Sequence, residues 1–459
     1  MFNKYNHIHF VGIGGIGMSG IAQVLLTLGY HVTGSDLKKS HVTSSLARRG
    51  AKVMVGHRKA NVEGAHVVVV SSAVHADNPE VTAAREKGIP IVPRAEMLAE
   101  LMRLKYGIAI AGTHGKTTTT SLVATILSSA GLDPTMVIGG IVNSFKTNAR
   151  LGKGEFLIAE ADESDRSFIK LTPTIAVITN IDREHMENYR DFDHVRETYL
   201  SFANKVPFYG CVVACCEHPE VKKLLAKIER RVVTYGEKTG DFTARNIKQS
   251  EGTISFDVVR HGKALGRVSI ASPGRHNVLN ALAAIAVALE LDVPFSKVRA
   301  GLKKFKGIER RFQIFLNKKG RSLVVTDYAH HPKEIEAVLS SARDGWPKRR
   351  VTCVMQPHRY TRLQSLFDDF VSVLKGPEQL IIMPVYPAGE RPLPGASSER
   401  LFKETAKKRR GHYVTLMARD KEEMFELVKK NTGEDDIVLF LGAGDVWKMG
   451  KEFARRLAG

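Results

Sequence analysis

Residues Ala111-Gly112-Thr113-His114-Gly115-Lys116-Thr117-Thr118-Thr119-Thr120 follow the apolar run Gly107-Ile108-Ala109-Ile110 and precede a helical pattern over residues 121–129. The order is strand, glycine turn, helix. In that setting the backbone N–H groups of residues 112–118 can curl around phosphate oxygens. Lys116 reaches the outer phosphates, and the Thr117 hydroxyl is offered to Mg2+. ATP is the ligand this arrangement predicts. The spacing, Gly112-x-x-Gly115-Lys116-Thr117, is two residues shorter than the common P-loop form, which narrows the set of proteins that use it.

Downstream, the apolar strand pattern at residues 156–159 runs into Glu160-Ala161-Asp162-Glu163-Ser164-Asp165. A Mg·ATP site needs an acid where a parallel strand meets its loop, because Thr117 supplies only one neutral ligand. Glu160, nearest the strand end, is the candidate. A further strand at 175–178 leads to Thr179-Asn180-Ile181-Asp182 and then to His185, a candidate second metal ligand or phosphate contact. Residues 210–214 read as a buried strand, 278–289 as an alanine-rich core helix, and 242–270 as a small antiparallel excursion.

Upstream, residues 7–11 form an apolar strand, Gly12-Ile13-Gly14-Gly15-Ile16-Gly17 a glycine turn, and 18–28 a helix; Asp36 ends a second strand at 31–36. Further strands center on 52–55 and 67–70. The physics promises a pyrophosphate on a helix N-terminus with a carboxylate near a ribose or sugar hydroxyl. NAD, FAD and UDP-sugars all meet that description. Beyond a basic linker at 303–311, strands at 323–326, 351–355, 380–383 and 437–441 alternate with helical patterns. Asp327-Tyr328-Ala329-His330-His331-Pro332 and Gln356-Pro357-His358-Arg359-Tyr360-Thr361-Arg362 follow two of these strands. Arg359 and Arg362 suit bidentate capture of a carboxylate or a phosphoryl group.

The expected fold class is α/β in three domains: an N-terminal Rossmann-like parallel sheet (1–104), a central P-loop ATPase-type α/β domain (105–306) and a C-terminal Rossmann-like α/β domain (307–459). A chain of 459 residues has length for about three domains. Its 43% hydrophobic and 25% charged residues are those of a soluble globular protein, and no apolar stretch approaches the length of a membrane span. The net charge of +20 admits nucleic acid or small polyanions as partners. Basic clusters at 227–231, 348–350 and 407–410 lack interleaved aromatics, which favors a solvated basic surface over nucleic-acid binding. Cys211, Cys215, Cys216 and Cys353 lack zinc-ligand spacing and are expected to be reduced core residues in a cytoplasmic protein.

Taken in order along the chain, Gly12-x-Gly14-Gly15-x-Gly17-Met18-Ser19, Ser71-Ser72-Ala73, the P-loop, Glu160 to Asp165, Asn180-Ile181-Asp182 with His185-Met186, Gly274-Arg275-His276-Asn277 and the two third-domain clusters resemble the Mur ligase family. The resemblance covers essentially the whole chain. It implies ATP-dependent joining of L-alanine to the lactyl carboxylate of UDP-N-acetylmuramic acid through an acyl phosphate, in peptidoglycan precursor synthesis, by a monomer or homodimer. By the same resemblance Gly14, Gly15, Gly17, Met18, Ser19, Asp36, His57 and Ser72 hold the UDP-sugar. Residues 112–118 with His276, Asn277, Arg311 and Tyr328 hold ATP. Thr117 and Glu160 bind one Mg2+, with His185 at a second metal. His330, His358, Arg359 and Arg362 surround the alanine carboxylate and acyl phosphate, and Lys116, His185 and Arg311 join them as catalytic groups. Several relatives use a carbamoylated lysine at the second metal; Lys205 is the nearest counterpart, and an exposed, unmodified lysine is the expectation. Two alternatives stay open: a ligase that attaches a recycled murein peptide to the same sugar nucleotide, and a basic P-loop nucleic-acid-binding ATPase.

Overall fold

The computed structural model describes residues 5–71, 73–164, 166–409 and 413–458, which build three sheets. The first contains β1 (His7–Val11), β2 (His31–Asp36), β3 (Lys52–Val55), β4 (Val67–Val70) and β5 (Ile91–Pro93), in the order β3-β2-β1-β4-β5. All its pairings are parallel. β1 is buried along its whole length, as a strand covered on both faces should be. The order reverses at β1, so a crevice opens at its carboxyl end, where the glycine turn begins.

The second sheet has ten strands: β6 (Tyr106–Ala111), β7 (Thr135–Val142), β8 (Thr147–Arg150), β9 (Phe156–Glu160), β10 (Ile175–Ile178), β11 (Cys211–Cys215), β12 (Val232–Tyr235), β13 (Phe242–Ser250), β14 (Thr253–Arg260) and β15 (Lys263–Ile270). Their order is β15-β14-β13-β12-β11-β10-β6-β9-β7-β8, with β6 parallel to both β10 and β9. β13, β14 and β15 are joined by Glu251-Gly252 and His261-Gly262, four residues of positive φ, the backbone that two-residue hairpins require. This is the antiparallel excursion expected from the sequence.

The helix after β6 (Lys116–Ala130) buries a run of hydroxyl residues. Three of them donate back into the preceding turn, Thr120, Ser121 and Thr125 to the carbonyls of Lys116, Thr117 and Ser121 at 2.6–2.8 Å. It packs closely on the helix Phe295–Lys304, where a side chain at Gly301 would lie 2.7 Å from the Ile126 Cα.

The third sheet contains β16 (Gln313–Leu316), β17 (Leu323–Asp327), β18 (Val351–Met355), β19 (Gln379–Ile382), β20 (Val414–Met417) and β21 (Ile437–Leu441), in the order β16-β17-β21-β18-β19-β20. Only β16 runs antiparallel to its neighbor among the described pairings. β17, β18 and β21 are buried throughout.

The chain divides into two compact units, residues 1–246, 256–268 and 278–305 in one, and 247–255, 269–277 and 306–459 in the other. The first unit holds the N-terminal sheet and most of the central one. Cys211, Cys215 and Cys353 are buried and Cys216 half-buried, all as free thiols. Among the described residues no helix is long and apolar enough to cross a membrane.

Candidate functional site

In the first glycine turn, Gly12 has φ +80°, and its N–H and that of Ile13 both donate to the Ser35 carbonyl at 2.9 Å. The turn delivers the chain into the helix Ile16–Thr27, whose first turn has no acid and whose Gly15 N-cap offers no side-chain cap. Its N–H groups are thus open to an anion. Gly14 donates to Asp36 Oδ2 at 2.8 Å, and a Cβ on Gly14 would sit 2.7 Å from that oxygen. Glycine is required there by the approach of the carboxylate. Asp36 therefore fastens the turn as well as standing at the strand end. A Cβ on Gly17 would be 3.1 Å from Arg94, whose guanidinium pairs with Asp162 at 3.3 Å.

Met18 is 2% exposed and belongs to the core, and the Ser19 hydroxyl donates to the Ile16 carbonyl at 2.9 Å. These two candidates support the turn from within. His57 follows β3, with its Nδ1 2.9 Å from Ser35 Oγ. Ser72 lies outside the described residues.

The second turn is clamped by the segment after β10. Asn180 accepts from the His114 N–H at 2.8 Å through its side chain and returns a bond to the His114 carbonyl at 2.9 Å. Thr179 donates to the same carbonyl at 2.7 Å, and the Asp182 N–H donates to Thr113 Oγ1 at 2.8 Å. The Thr179-Asn180-Ile181-Asp182 stretch thus shapes the loop. Gly112 and Gly115 have φ of +141° and +83°. A Cβ on the first would collide with Thr179 and one on the second with Asn280. Thr118 is buried in the first turn of the helix.

Lys116 Nζ is held by the Gly112 carbonyl at 2.6 Å, the Thr113 carbonyl at 3.2 Å and Glu163 at 2.7 Å. Burial works against its charge, but the carboxylates of Glu163, Asp162 and Glu160 outweigh that and hold its pKa above the usual lysine value. Burial pushes the Glu163 carboxyl up to about 7 despite Lys116. Thr117 Oγ1 donates to Glu160 Oε2 at 3.2 Å, and the Gly139 N–H donates to Glu160 Oε1 at 2.7 Å. Burial raises the Glu160 pKa, opposed by the Gly139 N–H, Lys116 and Thr117. A hydroxyl beside a half-buried carboxylate is a hard-oxygen pair of the kind that suits a small divalent cation.

Among the described residues, no three His, Cys, Asp or Glu side chains converge to hold a metal by themselves. His185, at φ +54°, lies 3.6 Å from Glu187 and 4.0 Å from Glu184. Lys205 is exposed, and its ammonium donates to the Ile169 carbonyl.

In the second unit, Asn277 is buried, and its amide holds the turn before the helix Arg275–Glu290 by donating to Ser272 Oγ at 3.0 Å and the Pro273 carbonyl at 2.6 Å. His276 beside it is exposed. Tyr328 lies under two guanidinium groups, Arg310 at 4.5 Å and Arg311 at 5.2 Å from the ring centroid. Arg310 is pinned to the carbonyls of Ala443 and Gly444, whereas Arg311 reaches to 3.6 Å from Glu334.

Of the paired histidines, His331 caps the helix Pro332–Gly345 in a capping box with Glu334. His330 shares Glu334, with Nδ1 3.2 Å from that carboxylate and 3.0 Å from the Tyr328 carbonyl, and its ring is 6.1 Å from that of His358. His358 stacks on Tyr386 at 5.5 Å and meets Arg362 Nη1 at 3.4 Å. Burial, reinforced by His330, Arg362 and Arg359, pushes the His358 pKa down to about 4. Arg359 adopts φ +69° with its side chain half exposed and 4.0 Å from Glu390. His330, His358, Arg359, Arg362 and Tyr386 thus form one aromatic and cationic surface after β17, β18 and β19.

Sequence reasoning did not single out Glu163 from its acidic run, nor Arg310 or Tyr386. Glu163 stood in the quoted motif, but its pairing with Lys116 is a contact between segments. Tyr386 had no local signal at all.

Two phosphate-type turns in one chain, the second with a lysine, a hydroxyl and a buried carboxylate, describe a nucleotide-using enzyme with a separate anion site. The family comparison fits this. The model of the Mur ligase family catalytic domain matches residues 7–106, that of the Mur ligase middle domain 110–288, and that of the glutamate ligase domain 310–444. The chain belongs to the Mur ligase family, whose members are ATP-dependent ligases.

It is 52% identical over 455 residues to the UDP-N-acetylmuramate-L-alanine ligase of Desulfatibacillum aliphaticivorans, covering 99% of both chains. It is 52% identical over 459 residues to the ligase of the same name from Geobacter sulfurreducens, covering 100% of this chain and 99% of that one. The crystal structure of a UDP-N-acetylmuramate-alanine ligase from Thermotoga maritima superposes with a TM-score of 0.84 at 29% identity over 98% of each chain. A murein peptide ligase from Psychrobacter arcticus shares the fold, at TM-score 0.70 and 21% identity over 99% of each chain.

Proposed function

We propose that this chain joins L-alanine to the lactyl carboxylate of UDP-N-acetylmuramic acid, with ATP cleaved to ADP and phosphate. The observation that carries the reading is identity of about half, over the full length, to ligases named for those two substrates. Residues 1–104 take the sugar nucleotide, 105–306 ATP, and 307–459 the amino acid. Free thiols, three of them buried, suit the reducing cytoplasm.

The chemistry follows from the carboxylate. Its leaving group in direct amide formation would be oxide, so a carboxylate oxygen first attacks the γ-phosphorus and ADP leaves. The alanine nitrogen then attacks the acyl carbon of the acyl phosphate, loses its proton, and inorganic phosphate departs. Little covalent chemistry falls to the protein; positioning and charge neutralization dominate. Lys116 neutralizes the outer phosphates, and the N–H groups of residues 112–118 fix them. Thr117 and Glu160 would hold Mg2+, which supplies further charge neutralization on the phosphates; the remaining ligands would be phosphate and water oxygens. His185 and Arg311 are assigned to the transferring phosphoryl group. His276, Asn277 and Tyr328 go to ATP, the last two through the turn and the stacked guanidinium pair they support. His330, His358, Arg359 and Arg362 receive the alanine carboxylate and acyl phosphate. His358 is neutral at pH 7, so the positive charge there comes from the arginines.

The test is phosphate release with each amine, with and without UDP-N-acetylmuramate. The expected result is turnover that needs both the sugar nucleotide and L-alanine. Turnover with a murein tripeptide and none with L-alanine would favor the peptide ligase. Turnover stimulated by DNA or RNA and indifferent to the sugar nucleotide would sink both ligase readings.

A further inference from the structure

A buried polar network behind His57 lies at the carboxyl edge of the first sheet. Glu80 is the second residue of the helix Pro79–Glu86. A glutamate there ordinarily faces water and complements the helix dipole. Here the side chain turns inward and is wholly buried. Its Oε2 accepts from Ser35 Oγ at 2.6 Å, with His57 Nδ1 at 3.3 Å and His9 Nε2 at 3.6 Å from the same oxygen. Oε1 accepts from the Asn61 amide and has the Arg58 N–H at 3.4 Å. Burial alone would raise its pKa, but the nearby His9 ring and the hydrogen bonds from Ser35 and Asn61 outweigh burial and hold it at about 2, so the group is a carboxylate.

Buried ionic groups of this kind are commonly replaceable by apolar packing without loss of stability, so the fold alone does not call for one. The direction of the protons shows what it does. An ionized carboxylate only accepts, so the Ser35 hydroxyl must give its proton to Glu80. Ser35 Oγ is then left to accept at 2.9 Å from His57 Nδ1, which must carry the ring proton. The other ring nitrogen, Nε2, becomes a hydrogen-bond acceptor. His57 is the one member of the relay that reaches solvent, at 16% side-chain exposure. It stands just beyond β3, whose last residue Val55 is registered against Asp36 at the end of β2, and the Gly56 N–H donates to the Asp36 carbonyl. A nucleoside lies on that side of a pyrophosphate bound at the glycine turn. Phosphates at neutral pH bear few protons to donate, whereas uridine has an imide N–H and ribose hydroxyls.

We propose that Glu80 is a positioning residue for the sugar nucleotide, acting through Ser35 to fix the proton of His57 on Nδ1, so that Nε2 accepts a hydrogen bond from the uridine half of the ligand. The inference rests on assigning the sugar nucleotide to the first domain.

Glu80→Gln keeps the shape of the side chain but can donate to Ser35, which reverses the relay and leaves His57 presenting a donor. In the full-length enzyme this variant should weaken UDP binding, measured by calorimetry, about tenfold, the worth of one lost hydrogen bond. KM for UDP-N-acetylmuramate should rise in proportion, while kcat and KM for ATP stay within about twofold. Ser35→Ala, a smaller change, should give the same pattern. Glu80→Gln combined with His57→Ala should bind UDP no worse than His57→Ala alone. UDP carrying an N3-methyl group or lacking the 2′-hydroxyl identifies the donor, since the right analogue loses affinity in the wild type and is indifferent to Glu80→Gln.

Wild-type UDP affinity in Glu80→Gln, effects that multiply in the double variant, or equal sensitivity of both analogues to Glu80→Gln would each overturn the proposal. A wild-type protein that binds no UDP would overturn the sugar-nucleotide assignment, and this inference with it.

Discussion

Lys116 is surrounded by oxygen: two carbonyls of its own loop and the Glu163 carboxylate. An ammonium so placed can exchange Glu163 for the phosphates of ATP with little change in its own position. In the proposed mechanism, removing it takes away the cation assigned to the outer phosphates. Lys116→Ala should therefore lower ligation and acyl-phosphate formation by on the order of 10²–10³-fold or more, while UDP binding by calorimetry stays within about twofold of wild type. Parallel loss of both would count against separate sites. At this scale the sequence was legible where chemistry is local. Lys116, Thr117 and the acid at the end of β9 were readable because a strand, a turn and a helix bring them into place within a fixed spacing. The Glu163 partner of Lys116, the Tyr386 ring against His358 and the Arg310 guanidinium over Tyr328 come from contacts between segments or from a choice between adjacent residues. No spacing rule specifies these. His185, a metal or phosphate candidate by residue type and position, has Glu184 and Glu187 from its own loop as ionic neighbors.

The P-loop as an element depends on glycines whose neighbors leave no room for a Cβ. Gly112 has φ +141°, and a Cβ there would stand 1.9 Å from Thr179 Oγ1. Gly112→Ala must push away the Thr179-Asn180 clamp that aligns the loop N–H groups. The expected cost is roughly 1–3 kcal/mol of stability, seen as a lowered Tm, with ATP affinity reduced and UDP affinity preserved. An alanine variant with wild-type ATP binding would show that the clamp does not set the loop. Strands such as β1, β10 and β18 were legible because burial on both faces makes them continuous apolar runs. The β7–β8 pair carries Gly139-Gly140 inside the strand, and β5, β16 and β20 are only three or four residues long with mixed burial. Their patterns are too short or too diluted to separate from loop, and they form because their neighbors supply the pairing.

At the scale of the whole molecule, 68 Lys and Arg stand against 48 Asp and Glu, and many of the basic residues are exposed, among them Lys227, Lys303, Lys304, Lys318, Lys319 and Lys348. They are spread over the chain without the aromatic platforms that single-stranded nucleic acid stacks on. Both proposed nucleotide substrates are polyanions, so a diffuse positive field raises their encounter rate without specifying their pose. Such a field is screened as the Debye length falls from about 10 Å at 0.1 M salt to about 3 Å at 1 M. Contacts inside the loop around residues 112–118 are short and sheltered, and are screened far less. KM for ATP and for UDP-N-acetylmuramate should thus rise severalfold between 0.1 M and 1 M potassium chloride, with kcat at saturating substrate changing much less and KM for zwitterionic L-alanine almost flat. Initial-rate series in each substrate at four or five salt concentrations check this. A salt-independent KM for both nucleotides would show that the basic surface has no part in substrate capture. A fall in kcat as steep as the rise in KM would place the salt-sensitive charges in the chemical step instead.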